Sequence, residues 1–303
     1  MNRIIHSILF IVVLSQLTKA QNSDFQNFAP TVFPDRIMLT IPRNPATSRA
    51  VTWRTVYVDT ISIGEISIVN AAPNLEKSII TVNGTFSPWE SGSIVSMGHK
   101  VTFENLKPKT KYAYRVGNGE NWSEWFQFET SSANTEPFSF IYLGDVQNDI
   151  KSLGSRALRQ AYTHFPNAGF MLFAGDLVSS STEEYWREFF YAGGWIFGMM
   201  PSVPTPGNHE YDRAENQSRT FSKHWSQIFS MPENGPSEKY NNQFYYFDYQ
   251  GVRFVSFDSP ALGEYAEDST LILKWLDKTL KENPFKWSVV FYTLPGLFML
   301  ARS

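Results

Sequence analysis

The hydrophobic and polar positions divide the chain into two parts with different periods. Over residues 34–130, apolar and polar residues alternate in short runs such as 36–41, 50–56 and 61–68, and Pro-, Asn- and Gly-containing turns separate the runs. Alternation with a period of two predicts half-buried strands. We therefore predict an all-β sandwich here, with Trp53 as its central core aromatic and residues 131–137 as the linker that follows.

Beyond residue 137 the pattern changes to short continuous apolar runs that alternate with helical stretches. This alternation predicts βαβ units and a buried, largely parallel sheet, hence an α/β domain over residues 138–303. We predict strands at 138–143, 169–174, 201–206 and 287–292, a hairpin of 242–249 and 252–258, and helices at 152–164, 181–190, 219–229 and 271–280. The helix at 152–164 is predicted to bury Leu153, Ala157, Leu158 and Ala161.

Three of the predicted strands each end in a short polar motif. The motifs are Gly144-Asp145, Gly175-Asp176 and Gly207-Asn208-His209-Glu210. Because the carboxyl ends of neighbouring parallel strands meet at one edge of a sheet, we expect Asp145, Asp176, Asn208 and His209 to converge. An alternative is that Asp145 and Asp176 merely cap the following helices, which leaves the third motif unexplained.

The residue types in these motifs suit metal-assisted phosphoryl transfer. Carboxylate and amide oxygens are hard ligands for divalent or trivalent ions, and one carboxylate can bridge two of them. Paired ions roughly 3.5–4 Å apart clamp the attacking and leaving oxygens of a phosphoryl transfer. His209, beside Asn208, is placed to give a proton to the leaving oxygen.

The ordered motifs resemble those of the calcineurin-like metallophosphoesterases, and with the preceding sandwich the chain is similar to the purple acid phosphatases. The sandwich also resembles a fibronectin type III domain, in which a tyrosine-corner hydroxyl bonds back to the backbone. That resemblance rests on Leu106, Pro108, Thr110, Tyr112, Tyr114 and Val116. The implied fold is this sandwich followed by an α/β metallophosphoesterase domain, a β-sandwich core flanked by helices, with its last part missing.

The resemblance also implies a role for each motif residue. Asp145 corresponds to the terminal carboxylate on the first metal, Asp176 to the carboxylate that bridges both metals, and Asn208 to the amide ligand of the second. His209 corresponds to the acid that protonates the leaving group, and Glu210 to a supporting residue. The implied reaction is hydrolysis of phosphate monoesters, of the acid phosphatase type, by a hydroxide on two metal ions.

Two departures from the family pattern affect the expected metals. Where the purple enzymes have a Tyr ligand for ferric iron, this chain has Ser179, so we expect no purple colour and Fe, Zn or Mn as the ions. Where the family has a His after the strand at 287–292, the chain reads Thr293-Leu294-Pro295, and it lacks the family's Gly-His-x-His motif. We therefore expect impaired activity, and hypothesise that the sequence is a fragment or a frameshifted reading.

Other functions and candidate residues remain open at this level. A phosphodiesterase or nucleotidase on the same scaffold, or a non-catalytic exported binding protein, are the alternatives. His99 and His224 are expected to be surface, hydrogen-bonded or packing residues. Trp89, Trp122, Trp125 and Phe126 are expected to serve core and hairpin packing rather than a binding patch.

Charge, cysteine content and the amino terminus narrow the possible partners and location. The net charge of −3 provides no basic footprint for nucleic acid, and the absence of Cys excludes disulfides, thiolate metal sites and cysteine nucleophiles. Residues 1–20 resemble a signal peptide, with Arg3, an apolar run at 8–14 and Ala20, and 21–33 form a short N-terminal segment. We predict an exported protein, periplasmic or secreted, without a stable membrane span, that acts on a phosphate ester.

Overall fold

The computed structural model describes residues 29–69, 78–91, 94–213 and 219–293, so the predicted signal peptide lies outside the described residues. The first part is the predicted sandwich of two antiparallel sheets. In the described residues their strand orders are β1-β2-β6-β5 and β4-β3-β7-β8. The strands are β1 Asp35–Thr40, β2 Arg49–Val56, β3 Ile63–Ile68, β4 Ile80–Asn83, β5 Thr85–Ser91, β6 Ile94–Phe103, β7 Lys111–Gly117 and β8 Phe126–Glu129.

The core of the sandwich forms around Trp53, as predicted. Trp53 is buried and stacks on His99, with ring centroids 5.0 Å apart and planes 8° apart. The Tyr112 hydroxyl accepts a hydrogen bond from the backbone N–H of Lys107 at 2.8 Å, which is the backbone contact expected of a tyrosine corner. His99 lies within β6 and is buried, so it is a hydrogen-bonded residue and not a surface one.

The second part contains two three-stranded sheets that face each other across an aromatic core, and a separate two-stranded antiparallel sheet of Tyr211–Arg213 and Arg219–Phe221. Phe170 beside the first sheet contacts Phe254 of the second, with ring centroids 5.2 Å apart. In the described residues the sheet orders are β11-β10-β9, all parallel, and β14-β15-β16, in which β14 and β15 form the predicted hairpin. The strands are β9 Ile141–Leu143, β10 Met171–Ala174, β11 Ser202–Thr205, β12 Tyr211–Arg213, β13 Arg219–Phe221, β14 Tyr245–Tyr249, β15 Val252–Ser256 and β16 Trp287–Phe291.

Helices flank these sheets. They are α1 Ser155–His164, α2 Glu183–Gly193, α3 Ile196–Met199, α4 Lys223–Ile228, α5 Ala261–Glu264 and α6 Ser269–Lys281, with a π turn at Ile150–Gly154 and 3-10 turns at Asn208–Glu210, Glu238–Tyr240 and Ala266–Asp268. Where the structure describes the chain, none of the helices combines the length and apolar character needed to cross a bilayer.

One prediction about these elements was wrong, and two were confirmed only in part. The predicted helix at 219–229 is a strand, β13, followed by α4, because the Ser222 side chain accepts a hydrogen bond from the His224 N–H and caps a helix that starts later. The apolar stripe of the first helix is confirmed only in part. Leu158 is buried and Ala161 packs against the core, whereas Leu153 falls in the π turn and is 58% exposed, and Ala157 is exposed. Strand β16 is buried only at its carboxyl end: Phe291 lies in the core, whereas Trp287 at the start of this edge strand is 62% exposed.

The two domains are joined by a buried interface that the predicted linker did not suggest. Met38, Ile41 and Trp89 of the sandwich belong to the same buried hydrophobic cluster as the core of the second domain. The buried Tyr114 hydroxyl donates to the carbonyl oxygen of Gly198 at 2.6 Å. The Thr40 hydroxyl donates to the carbonyl oxygen of Ser230 at 2.8 Å. The domains therefore meet through continuous packing and specific hydrogen bonds.

The aromatic residues of the sandwich serve packing, as expected. Trp89 and Phe126 are buried, and Phe126 lies against Gly198 of the second domain. Trp122 and Trp125 hold the Arg115 guanidinium, whose carbon lies 4.3 and 4.8 Å from their ring centroids.

Candidate active site

The parallel sheet brings the loops of all three polar motifs to one rim, and residues of the first two motifs line one pocket there. Strand β10 lies between β9 and β11, so the loops that follow these strands are neighbours. The backbone N–H of Asp145 donates to the carbonyl oxygen of Gly175 at 3.2 Å and ties the first two loops together. Asp145 and Asp176 line the same pocket of about 430 Å³, together with Tyr142, Gly144, Gln147, Ala174, Tyr292 and Thr293. The expected convergence of the two carboxylates is present.

Both carboxylates stand on unusual backbone. Asp145 has φ 57° and Asp176 has φ 51°, a left-handed region that costs a non-glycine residue about 1–3 kcal/mol. Neither residue caps a helix, because the N-caps of α1 and α2 are Gly154 and Thr182. The helix-capping alternative was therefore wrong, and the strain supports a site role for both residues.

The carboxylate of Asp176 is held in place by the third motif. The backbone N–H of His209 donates to its Oδ1 at 3.1 Å. Gly207 lies so close that a Cβ at this position would come within 2.1 Å of the same oxygen. Asp176 is buried, whereas Asp145 is exposed and accepts a hydrogen bond from the Gln147 amide at 2.7 Å.

Asn208 and His209 lie beside this pocket on the half-buried turn Asn208–Glu210. Nδ1 of His209 lies 2.7 Å from the carbonyl oxygen of Ser179. Because a carbonyl oxygen only accepts hydrogen bonds, Nδ1 carries a proton, and Nε2 is the ring nitrogen outside this hydrogen bond. The third motif thus supports Asp176 from behind, while the two carboxylates face the pocket.

Glu210 does more than the supporting role that the resemblance implied. Its fully buried carboxylate accepts backbone N–H donors from Asp176, Leu177, Val178 and Gly207, at 3.0, 2.8, 3.3 and 2.6 Å. Burial raises the pKa of Glu210 to about 8, and the backbone hydrogen bonds act against that rise. One side chain therefore joins the second and third loops. An acidic residue directly after a turn motif was the only sequence signal of this function.

The donor set fits a hard metal ion in part. The buried carboxylate of Asp176, the exposed carboxylate of Asp145 and the amide of Asn208 are oxygen donors of the kind that hard cations prefer. In the described part of the chain, however, no three His, Cys, Asp or Glu side chains are grouped to share an ion.

The structure shows what the two residues that depart from the family pattern contact. The Ser179 hydroxyl donates to the carbonyl oxygen of Gln147, so the residue at the family's Tyr position serves loop packing. Thr293, at the family's His position, lines the pocket with both carboxylates and lies against Gly175. A threonine offers a hydroxyl rather than an imidazole there.

Both parts of the chain match known protein families. Residues 34–130 match the family of purple acid phosphatase N-terminal domains, and residues 138–296 match the calcineurin-like phosphoesterases. The chain belongs to the calcineurin-like phosphoesterase family. Its order of domains is that of the purple acid phosphatases, which generally use two metal ions.

Relatives of this phosphoesterase chain agree with the assignment. Acid phosphatase type 7 of Danio rerio is 28% identical over 194 residues, which cover 61% of this chain and 40% of that protein. Purple acid phosphatase 21 of Arabidopsis thaliana is 28% identical over 218 residues, 70% of this chain and 46% of that protein. The chain thus spans less than half the length of these two curated relatives.

A solved structure supports the fold. The structure of PhoD superimposes with a TM-score of 0.55 at 12% identity, and the match covers 85% of this chain and 62% of PhoD. At this identity the likeness concerns the fold alone.

Replacing Gly175 with alanine tests how tightly the rim of the phosphoesterase site is packed. Gly175 has φ 76°, and a Cβ there would lie 2.4 Å from the Cβ of Thr293 and 3.1 Å from the Cα of Gly207. Left-handed backbone and overpacking together predict a loss of about 2–4 kcal/mol in the free energy of unfolding, measured by urea denaturation. Gly263→Ala is the control, because nothing lies within 4 Å of Gly263 and the helix should tolerate it. Equal stability of the two variants would contradict the tight packing.

Proposed function

We propose that this chain is an exported hydrolase that cleaves phosphate monoesters in a metal-dependent reaction at the pocket shared by Asp145 and Asp176. The observation that carries the proposal is the meeting of two left-handed, oxygen-donating aspartates at the carboxyl edge of a parallel sheet. Family membership supports phosphoester chemistry at this place. The names of the curated relatives favour the acid phosphatase type.

In this proposal each residue has a separate task. Asp145 and Asp176, with Asn208, would hold the metal ions, two of them if the chain follows its family; Fe, Zn and Mn are the candidates. Bound metal ions supply positive charge that stabilises the phosphate and activates water. Asp176 is kept in one orientation by the His209 N–H, and Gly207 leaves room for its carboxylate.

His209 would donate a proton to the leaving group. The Ser179 carbonyl accepts the Nδ1 proton, so Nε2 is the nitrogen that would carry the proton given to the leaving oxygen of the ester. Glu210 does not contact the substrate in this proposal, since its carboxylate is saturated by backbone donors. The protein's contribution is therefore orientation of carboxylates and of one imidazole.

The test is hydrolysis of p-nitrophenyl phosphate by the full chain after chelator treatment and readdition of Mn²⁺, Zn²⁺ or Fe²⁺. We expect turnover that requires metal, that is lost in Asp176→Asn, and that exceeds turnover of bis(p-nitrophenyl) phosphate. Asp277→Asn is the matched control, because Asp277 is exposed on α6 and paired only with Lys281 among described residues. Metal-independent turnover, or equal activity of Asp176→Asn and the parent, would overturn the proposal, and preference for the diester would overturn its monoester part.

A further inference from the structure

Four charged side chains meet at the buried interface between the two domains, and we name them the interdomain charge cluster: Asp35, Arg36, Arg54 and Glu183. Arg54 donates to both carboxylate oxygens of Asp35 at 2.9 and 2.6 Å, and to Glu183 at 2.8 Å. Arg36 donates to both oxygens of Glu183, one of them at 3.2 Å. The arginine side chains are only 4% and 3% exposed. Two cations and two anions therefore balance within the interface.

The backbone that carries the cluster is distorted, which indicates a function beyond holding the two domains together. Arg36 has φ 53° and lies where the pairing of β1 with β2 shifts, between Asp35 and Met38. The bulge directs the guanidinium between aromatic rings, with its carbon 5.5 Å from the centroid of Trp89 and 5.6 Å from that of Phe190. Apolar residues could hold such an interface at lower cost in desolvation, whereas paired charges favour one geometry.

Glu183 connects this cluster to the loop behind the active site. It is the first residue of α2, and only four positions separate it from Ser179. Between them, the Ser181 hydroxyl donates to the Ser222 hydroxyl at 2.6 Å and accepts from the Trp186 indole at 2.9 Å. The segment 179–183 is therefore held at both ends and in its middle. Its first residue supplies the carbonyl oxygen that accepts the Nδ1 proton of His209.

We propose that the interdomain charge cluster positions His209: Arg36 and Arg54 of the sandwich hold Glu183, Glu183 holds the segment 179–183, and the Ser179 carbonyl sets the tautomer and orientation of the imidazole. Glu183 is thus a positioning residue that contacts neither substrate nor metal. The sandwich domain thereby takes part in the reaction of the other domain. The catalytic consequence rests on the proposed function, whereas the effect on the imidazole does not.

The test compares Glu183→Gln with Glu184→Gln, which removes the same charge from the next, exposed residue of the same helical turn. The first measurement is the ¹⁵N spectrum of the histidine rings at one fixed pH, with the His209 signals assigned by their loss in His209→Gln. In the parent and in Glu184→Gln we expect His209 protonated on Nδ1. In Glu183→Gln we expect both tautomers, because the Ser179 carbonyl is no longer held against the ring.

The second measurement is the steady-state kinetics of metal-dependent hydrolysis. Misplacement of a reacting group by a fraction of an ångström predicts a kcat of Glu183→Gln lower by about tenfold to a hundredfold, with a KM within about twofold of the parent. Asp35→Asn provides a milder version in case Glu183→Gln does not fold, because it weakens only the support of Arg54 and its carboxylate is 38% exposed. Thermal unfolding of each variant confirms that the comparison concerns folded protein.

The outcomes separate the two proposals. An unchanged His209 tautomer in folded Glu183→Gln and Asp35→Asn would overturn the positioning role, whatever the activity. A changed tautomer with unchanged kcat would overturn its catalytic consequence. Absence of hydrolysis in the parent would count against the proposed function, and the ¹⁵N spectra would still decide whether the cluster controls the imidazole.

Discussion

Replacing Glu210 with alanine is expected to lower the free energy of unfolding by at least about 4 kcal/mol. The carboxylate accepts four backbone N–H groups in a fully buried place, and each buried donor left without an acceptor costs about 1–3 kcal/mol. Water that enters the cavity can accept hydrogen bonds from some of these donors, so the expected loss lies near the lower end of the summed cost. The measurement is urea denaturation at neutral pH, followed by the fluorescence of the protein's nine Trp residues.

Glu210→Gln and Glu238→Ala make this prediction specific. Glutamine keeps one acceptor oxygen but turns an NH₂ group toward backbone donors. We therefore expect its free energy of unfolding to lie between those of the parent and the alanine variant. Glu238 is exposed on a short turn, so its replacement should change stability by less than about 0.5 kcal/mol. A Glu210→Ala variant as stable as Glu238→Ala would show that the four N–H groups find other acceptors. The proposed activity should fall with stability, because Asp176 and Gly207 donate to this carboxylate.

The contrast between Asp176 and Glu210 shows what the sequence can predict about the site. Asp176 follows a recognisable apolar run, so its place at the rim of a parallel sheet was predictable from strand direction. The acceptor role of Glu210 depends on N–H groups from residues 176–178, more than thirty positions earlier, whose orientation follows from a left-handed aspartate. No local pattern encodes that geometry. The backbone hydrogen bond from His209 to Asp176 was equally invisible in the sequence, because it joins residues 33 positions apart.

The fold was predictable where one element carries its own signal. The burial of Trp53 and the hairpin across Gln250 follow from local alternation and turn residues, and the tyrosine-corner contact of Tyr112 follows from the resemblance to fibronectin type III domains. The interface between the domains was not predictable in the same way, because the apolar residues Met38 and Trp89 would read equally well as core of an isolated sandwich. Whether two hydrophobic cores pack together depends on how the domains dock. Docking rests on contacts between residues that are far apart in sequence.

Acidification is expected to destabilise the fold strongly, through two buried histidines. His99 is held between the hydroxyls of Thr55 and Ser62 at 2.7 and 2.8 Å, and His224 is 2.7 Å from the Ser91 hydroxyl. Burial lowers the pKa of His99 and of His224 from 6.5 to about 4. Asp59 opposes the shift of His99. Glu183 opposes that of His224, whereas Arg36 adds to it.

The sign of the effect follows from proton binding. Between about pH 6.5 and pH 4 the unfolded chain binds protons on these rings and the folded protein does not, so stability falls as the pH is lowered and the loss is complete near pH 4. A shift of 2.5 units corresponds to at most about 3 kcal/mol for each ring, hence up to about 6 kcal/mol together. This loss is comparable to the whole stability of many domains.

Urea denaturation at pH 7 and at pH 4 measures this loss in the parent and in a His99→Gln, His224→Gln double variant. The double variant should lose less stability on acidification, by up to about 6 kcal/mol, because glutamine binds no proton in this range. His164→Gln is the control, since His164 is exposed at the end of α1 and should leave the difference unchanged. Equal pH dependence in the parent and the double variant would contradict the assignment. If the assignment holds, protonation of His224 weakens the interface between the domains, where its ring contacts the Ser91 hydroxyl of the sandwich.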